Sequence, residues 1–497
     1  MADAVRQNAP LPRPLIWVLV ASFVARVFFA AVMPLGTDET YALAVGRSFS
    51  ISFFDHPPLG FWAPAVMERI WPLSAPIWFR VPELVFGTVA LWAVYLCGAA
   101  LGGPRAGIWT AVIAAISPTM FFAGVIILPD GPLNPALFFT LYALIRLAQG
   151  HTAGPKYWAI GGASLAIALA SKYQAGLIPI SLLVWMLFTA EGRRWFAMPG
   201  FYLALAMSCV GLMPVLWWNI GNGWASFAFH EGRAGGGLSI SNFAKMAVGQ
   251  IVYLLPVVVV WCVSTFRDRG NWAGPDRRLI LLVALGPILM FNAIYMFSTA
   301  TFPHWTMPGW IVLLPLVGAT IASAPQSVQT RARRWLIGVA APVYLILAVA
   351  TVHLSTGVLT RFSDSPPAWD RTAPMIPLAE TRSGLIEAGI WDETSPIATR
   401  NWIEAGHIAA AMGPAARIKV LSDAPHHFAF MPGQDAQGSI TLISIGSIQT
   451  DAADTDRLLQ FARAIDPDAT ALPSVAVPRG AQDYFRIHAV RMTVPAN

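Results

Sequence analysis

The chain has 497 residues, 56% of them hydrophobic and only 12% charged, with a formal net charge of +6. A water-soluble domain carries about a quarter charged residues, so an ordinary soluble enzyme is excluded. The three cysteines, Cys97, Cys209 and Cys262, all lie in apolar runs, which argues against a disulfide framework and a cysteine-based zinc site.

The N-terminus places Arg6 and Arg13 before an apolar run from about Leu15 to Met33. That run is long for a signal peptide and more follow it, so it reads as an uncleaved first helix. Apolar runs of about 18 residues, enough to cross a bilayer, place spans near 15–34, 84–101, 107–127, 132–148, 157–171, 175–190, 199–218, 246–265, 279–298, 305–323 and 335–353. The span at 157–171 is short and rich in Gly and Ala, a composition that lets helices approach closely.

With the N-terminus inside, thirteen Lys and Arg fall in inner loops and six in outer loops before the tail. This is a positive-inside bias. It accounts for the basic charge without a nucleic-acid partner. The transmembrane module is expected over residues 1–353, with a first outer loop over 35–83 and a polar, Pro-rich linker over 354–375. Beyond it, "SPIATRNW", "RIKVLS", "GSITLISIGS" and "YFRIHAVRMTV" read as strands; "WIEAGHIAAAMG" and "DTDRLLQFARAI" read as helices. Residues 376–497 are thus a small α/β domain, outside the membrane on the periplasmic side.

The outer side collects Asp38, Glu39, Asp55, His56, Arg80, Asp130, Lys172, His230, Glu231, Arg233 and His304. The inner side has mostly arginines. The orientation rests on Lys and Arg alone, so the gathering of acids and histidines on one face is independent of it. Asp38 directly follows the first helix. Taken alone it reads as a solvated helix-start residue; its functional reading is a general base. Asp55 and His56 precede Pro57 and Pro58, which restrict the backbone. An acid beside an imidazole suits a divalent cation or a phosphate, and an ordinary turn is the bland alternative. Asp130 lies in "ILPDGPL", which is turn chemistry on its own. Lys172 in "LASKYQAG" either snorkels or meets an anion. "FAFHEGRAGGG" brings His230, Glu231 and Arg233 together before glycines that suit a mobile gate. His304 in "FPHWTMPGW" fits an interfacial aromatic belt.

Taken in order, "DET", "DHPPL", "RVPE", "LPDGPL", "SKYQAG" and "FHEGR" resemble the bacterial GT-C glycosyltransferases of the protein mannosyltransferase-like superfamily, those that move aminoarabinose or galacturonate onto lipid A and core among them. The resemblance spans roughly residues 15–320. It implies a GT-C membrane fold of about eleven helices. It also implies an inverting transfer of one sugar from a polyprenyl-phosphate donor to lipid A, lipopolysaccharide core or another envelope glycan or lipid. The expected setting is the periplasmic side of a bacterial inner membrane. It places Asp38 and Asp130 as the catalytic acids. His56, Lys172, Arg233 and Arg80 go to the donor phosphate, and Glu39 and His304 to supporting positions. His56 stands where these transferases usually have Lys. Asp55, His230 and Glu231 would hold a possible divalent metal cation; no nucleotide or organic cofactor is implied. A protein acceptor, with the same donor, is the first alternative. A transporter is the second, and it predicts ionisable residues near span centres. Arg26 is the main one, and one arginine makes no ion path. A catalytically silent homologue whose tail binds a partner is the third; the retained Asp38, Asp55, Asp130 and Lys172 argue against it.

Overall fold

In the computed structural model, which describes residues 11–73, 75–231, 237–298, 302–360, 375–393, 395–447, 451–480 and 482–495, helices form where the apolar runs are longest. The first, Arg13–Val32, has 20 residues, about 30 Å of helix and a full hydrocarbon thickness. It turns Trp17 and Val24 outward while Leu15, Phe29 and Ala30 are buried. Next comes a 36-residue stretch, Val81–Ile116, interrupted at Gly102 and Gly103. Gly103 has φ +77°, where a side chain is disfavoured, and Pro104 starts the second arm. A Cβ on Gly98 would lie 2.3 Å from the Thr110 hydroxyl, and one on Gly107 would strike Tyr95. The stretch is therefore a hairpin of two closely packed helices.

Five helices among the described residues are long and apolar enough to cross a membrane, eight if each bent pair is one span. The chain is a multi-pass membrane protein. Hydropathy alone led to eleven spans. The difference comes from the hairpin's second arm and from two further helices, the 19-residue Asp130–Ala148 and the 15-residue Pro155–Leu169. The latter meets Pro199–Gly221 at small residues: Cβ atoms on Gly162 and Gly211 would clash with the backbones of Ala204 and Ala166. The expected straight span at 246–265 is instead broken. Ile240–Leu254 and Pro256–Arg267 meet at 103°. Leu255, pushed out of the helical region by the proline that follows it, takes φ +76°.

The C-terminal part is built on a six-stranded sheet: β1 Ile397–Thr399, β2 Ile418–Val420, β3 Gly438–Ser447, β4 Thr470–Ala471, β5 Val475–Arg479 and β6 Gln482–Val494. The order is β2-β1-β3-β6-β4, with β5 also on β6. β1 runs parallel to β2 and β3; the pairs with β6 are antiparallel. The strands and the two helices expected from the sequence are present; β4, β5 and a further helix, Leu378–Glu387, were not foreseen. One face of the sheet packs Ala398, Leu442 and Val490 against Leu458 and Ala462 of the helix Asp451–Arg463.

The other face is the one that matters for the site. Ile397, Ile443 and Ile487 share one apolar core with Tyr41, Leu43, Phe53 and Phe61 of the loop that follows the first membrane helix. Alternating strand residues point to one face, which gives each face its own partner. Between sheet and loop lies the helix Trp402–Met412, seated on the helix Thr37–Gly46. A Cβ on Gly406 would lie 3.1 Å from the Tyr41 backbone. Arg47 fastens the joint, donating to the carbonyls of Ala409 and Gly413 at 2.5 and 2.9 Å and pairing with Glu68 at 2.6 Å.

Candidate active site

The helix Thr37–Gly46 starts as soon as the first membrane helix has ended. Carboxylates in a first helical turn are favoured by the helix dipole. Asp38 and Glu39 are adjacent, so they face different directions. Glu39 turns inward and is buried. Its Oε2 accepts from the Gly36 amide at 2.8 Å, and its Oε1 from the Ile127 amide at 3.1 Å. Arg80 grips both oxygens, at 2.7 and 2.6 Å. The remaining three N–H groups of Arg80 go to the carbonyls of Ala30, Met33 and Pro34. A guanidinium has five N–H donors, and all five are used. Arg80 was expected at the donor phosphate. It has no donor left for one. It ties the first helix, the Glu39 helix and the hairpin together.

Asp38 turns the other way. It is exposed to solvent, yet protein surrounds it, as on the floor of an open cleft. Burial raises its carboxyl pKa above the ordinary range; His56 and Lys172 pull it back, and Asp55 and Glu39 push it further up.

The segment "FDHPPL" crosses in front of it. The Phe53 amide donates to the His56 carbonyl at 3.3 Å, closing a turn that the two prolines stiffen. The Leu59 amide donates to the Ala170 carbonyl at 3.0 Å, which ties this segment to the hinge holding Lys172. Gly60 lies against Pro129, so close that a Cβ there would be 3.1 Å from the Pro129 Cα. Three sequence-distant turns thereby converge. Lys172, buried, meets Asp130 at 2.6 Å. His56 and His304 are within electrostatic reach of Asp130. The Nδ1 of His56 is buried without a hydrogen-bond partner.

Asp55 is buried. The Tyr41 hydroxyl donates to its Oδ1 at 3.2 Å, and His426 Nδ1 stands 3.9 Å from Oδ2. Burial alone would raise the Asp55 pKa; His426, His56 and His427 outweigh it and hold the group below its ordinary value, ionised. Burial and the Asp55 charge push the Tyr41 phenol well up, so it stays a neutral donor.

The expected metal set does not assemble. Nε2 of His230 lies 3.1 Å from the backbone carbonyl of Asp55, not from its carboxylate. Glu231 is exposed at the end of its helix. Among the described residues no group of three or more His, Cys, Asp or Glu side chains is placed to hold a metal ion. Arg233 lies outside the described residues. His304 lies tilted beside Tyr253 and edge-on to Phe302.

Four contributors were not singled out from the sequence. Tyr41 looks like one more interfacial aromatic. His426 and His427 lie some 370 positions from Asp55, in a domain with no local chemical motif. Glu83, the acid of "RVPE", is buried with both oxygens unpartnered, its carboxyl filling the space a Gly131 side chain would need. Arg26, the one central ionisable residue of the first span, is buried at the close approach of Gly87 and Gly124, 5.7 Å over the Phe121 ring. That is a packing position between helices, not a polar path. A mainly apolar cavity of about 680 Å³ lies elsewhere; Met33, Phe79 and Ile386 line it, and none of Asp38, Asp55, Asp130 or Lys172 does.

The sequence profile of the dolichyl-phosphate-mannose-protein mannosyltransferase family matches residues 55–218. Lipid A galacturonosyltransferase RgtD of Rhizobium johnstonii is 19% identical over 310 residues, which are 60% of this chain and 61% of the relative. The match therefore spans less than two thirds of that relative's length. Among solved structures, ArnT from Cupriavidus metallidurans bound to undecaprenyl phosphate superposes with TM-score 0.60 at 13% identity, covering 95% of this chain and 97% of the other. The archaeal oligosaccharyltransferase AglB from Archaeoglobus fulgidus superposes with TM-score 0.52 at 10% identity, covering 90% and 70%. The chain has the GT-C fold with a small C-terminal sheet domain, and it resembles the ArnT-like lipid A transferases.

Proposed function

We propose that this protein is an integral-membrane, inverting glycosyltransferase. It moves a single sugar from a polyprenyl-phosphate donor to an envelope acceptor, lipid A, core or another lipid or glycan, at the periplasmic face of an inner membrane. The observation that carries the reading is Asp38: an accessible carboxylate of raised pKa, at the outer end of the first span, facing His56, Asp55 and Lys172. A polyprenyl phosphate keeps its tail in lipid and its phosphate at the interface, so its enzyme needs a site at that depth. The relatives are consistent: one is named for lipid A galacturonosyl transfer, another is a structure with undecaprenyl phosphate bound.

In this mechanism the acceptor hydroxyl attacks the anomeric carbon from the side opposite the phosphate. Its proton passes to Asp38, whose raised pKa makes it a better base than an ordinary aspartate. The bond from the anomeric carbon to the phosphate oxygen breaks, and its electron pair leaves with the polyprenyl phosphate. Lys172 and His56 face the charge that develops there. Removing one such stabilising donor typically costs on the order of 3 kcal/mol. Asp130 holds Lys172 in place through its 2.6 Å ion pair. No step runs through a metal.

The test is Asp38→Asn in purified, membrane-reconstituted protein given a polyprenyl-phosphate sugar. The expected result is loss of transfer by about 10² to 10⁴, the usual contribution of a general base, with an unchanged unfolding midpoint. Wild-type turnover in that variant would sink the assignment. A protein acceptor remains the second reading, because the matching family profile describes protein mannosyltransferases.

A further inference from the structure

Beside Asp55 lies a part of the C-terminal domain that the mechanism above leaves unused. His426 adopts φ +56°, a left-handed conformation unfavourable for a residue with a side chain and concentrated at functional sites. The strain places its imidazole between Asp55, 3.9 Å from Nδ1, and the indole of Trp402, ring centroids 4.5 Å apart. That Nδ1 is buried with no hydrogen-bond partner. Tyr41 stands edge-on to Trp402 at 5.1 Å, and Phe229 and Phe54 close edge-on around His426 at 5.1 and 5.7 Å. Trp402 itself is half-buried.

Aromatic rings serving only to fill a domain joint need no strained backbone and leave no polar atom stranded. This cluster has the left-handed residue, and its imidazole nitrogen faces the ionised Asp55 carboxylate at 3.9 Å, beyond hydrogen-bond length. Flat apolar faces combined with a few fixed polar atoms are the composition of small-molecule sites. A pyranose ring fits that chemistry: its C–H face packs on an aromatic ring, and its hydroxyls bond to carboxylate and imidazole. We infer that Trp402 and His426 of the C-terminal domain form the wall that recognises the sugar carried by the donor. This inference rests on the donor reading given above. The C-terminal domain is then part of the sugar site, and the specificity of transfer depends on a helix start and a turn far from the membrane motifs.

The experiment measures binding to the full chain in lipid nanodiscs. The probes are undecaprenyl phosphate alone and undecaprenyl phosphate carrying galacturonate or galactose. In the wild type the sugar adds affinity over the bare lipid. Trp402→Leu and His426→Ala are expected to remove about tenfold or more of affinity for the sugar-bearing lipids while leaving the bare lipid unchanged. Trp402→Phe keeps most of the sugar preference, and His426→Asn, which tolerates the left-handed backbone, keeps part of it. Comparing two lipids on the same preparation separates recognition from misfolding, which lowers both alike. Equal loss for both lipids, or no loss for either, overturns the inference. So does a wild type that gains nothing from the sugar; the donor-lipid reading then stands without it. A wild type that binds neither lipid takes down both.

Discussion

Asp38 and Glu39 are chain neighbours with opposite fates, because a helix turns successive residues about 100° apart. Glu39 is consumed by Arg80 and by backbone amides; Asp38 is left facing the cleft. Two predictions belong to this scale. As a base, Asp38 must be ionised, and its pKa lies above the ordinary aspartate value. Activity should therefore fall on acidification at a pH above the usual aspartate range, in a profile of kcat against pH. The residual rate of Asp38→Asn should be flat across the same interval. Arg80 is a structural pair, so Arg80→Met should lower the unfolding midpoint sharply; breaking a buried pair costs about 3–5 kcal/mol. Arg80→Met combined with Glu39→Gln should recover part of it. If Arg80 contacted phosphate instead, Arg80→Lys would raise KM for the donor and leave the midpoint alone.

At the scale of elements, the joint between the helices Thr37–Gly46 and Trp402–Met412 positions the segment that carries Asp38 and Asp55. Two buried histidines sit in that joint. His407 Nδ1 lies 3.3 Å from the Thr40 hydroxyl, and His427 Nδ1 accepts from the Phe54 amide at 3.1 Å. Burial pulls both pKa values from 6.5 down to about 4. The unfolded chain thus binds protons first. The stability contributed by each neutral histidine is fully present above about pH 6.5 and is lost as pH falls toward 4. It amounts to roughly 3 kcal/mol each. Unfolding midpoints should drop across that window, and His407→Gln should shallow the slope. An unchanged slope in that variant would remove His407 from the explanation. This scale also shows what the sequence reveals. Long apolar runs announce membrane helices, and period-two patterns announce β3 and β6. The break at Leu255–Pro256 does not show in hydropathy although the proline stands in the run, since hydropathy averages hide backbone constraints. Arg80 was assigned by motif, and only the three-dimensional count of its partners shows that it is spent. His426 and Trp402 have no local signal, because their role depends on the docking of a remote domain.

At the scale of the molecule, the loop that follows the first membrane helix and the sheet domain share one apolar core. The polar cluster lies where the first span ends. The same cluster distinguishes the enzyme reading from a transporter, whose ionisable groups would line the spans; Arg26 is instead locked between glycines. The most direct measurement is mass spectrometry of polyprenyl-phosphate sugars, lipopolysaccharide, other envelope lipids and periplasmic proteins from cells with the gene, without it, and with only Asp38→Asn. The account predicts that the deletion and the Asp38→Asn strain both lose one sugar from an envelope lipid or glycan and accumulate the matching donor. Loss confined to periplasmic proteins would move the acceptor to protein. Identical donor and acceptor fractions in all three strains, with the protein present in the wild type, would contradict the transferase itself.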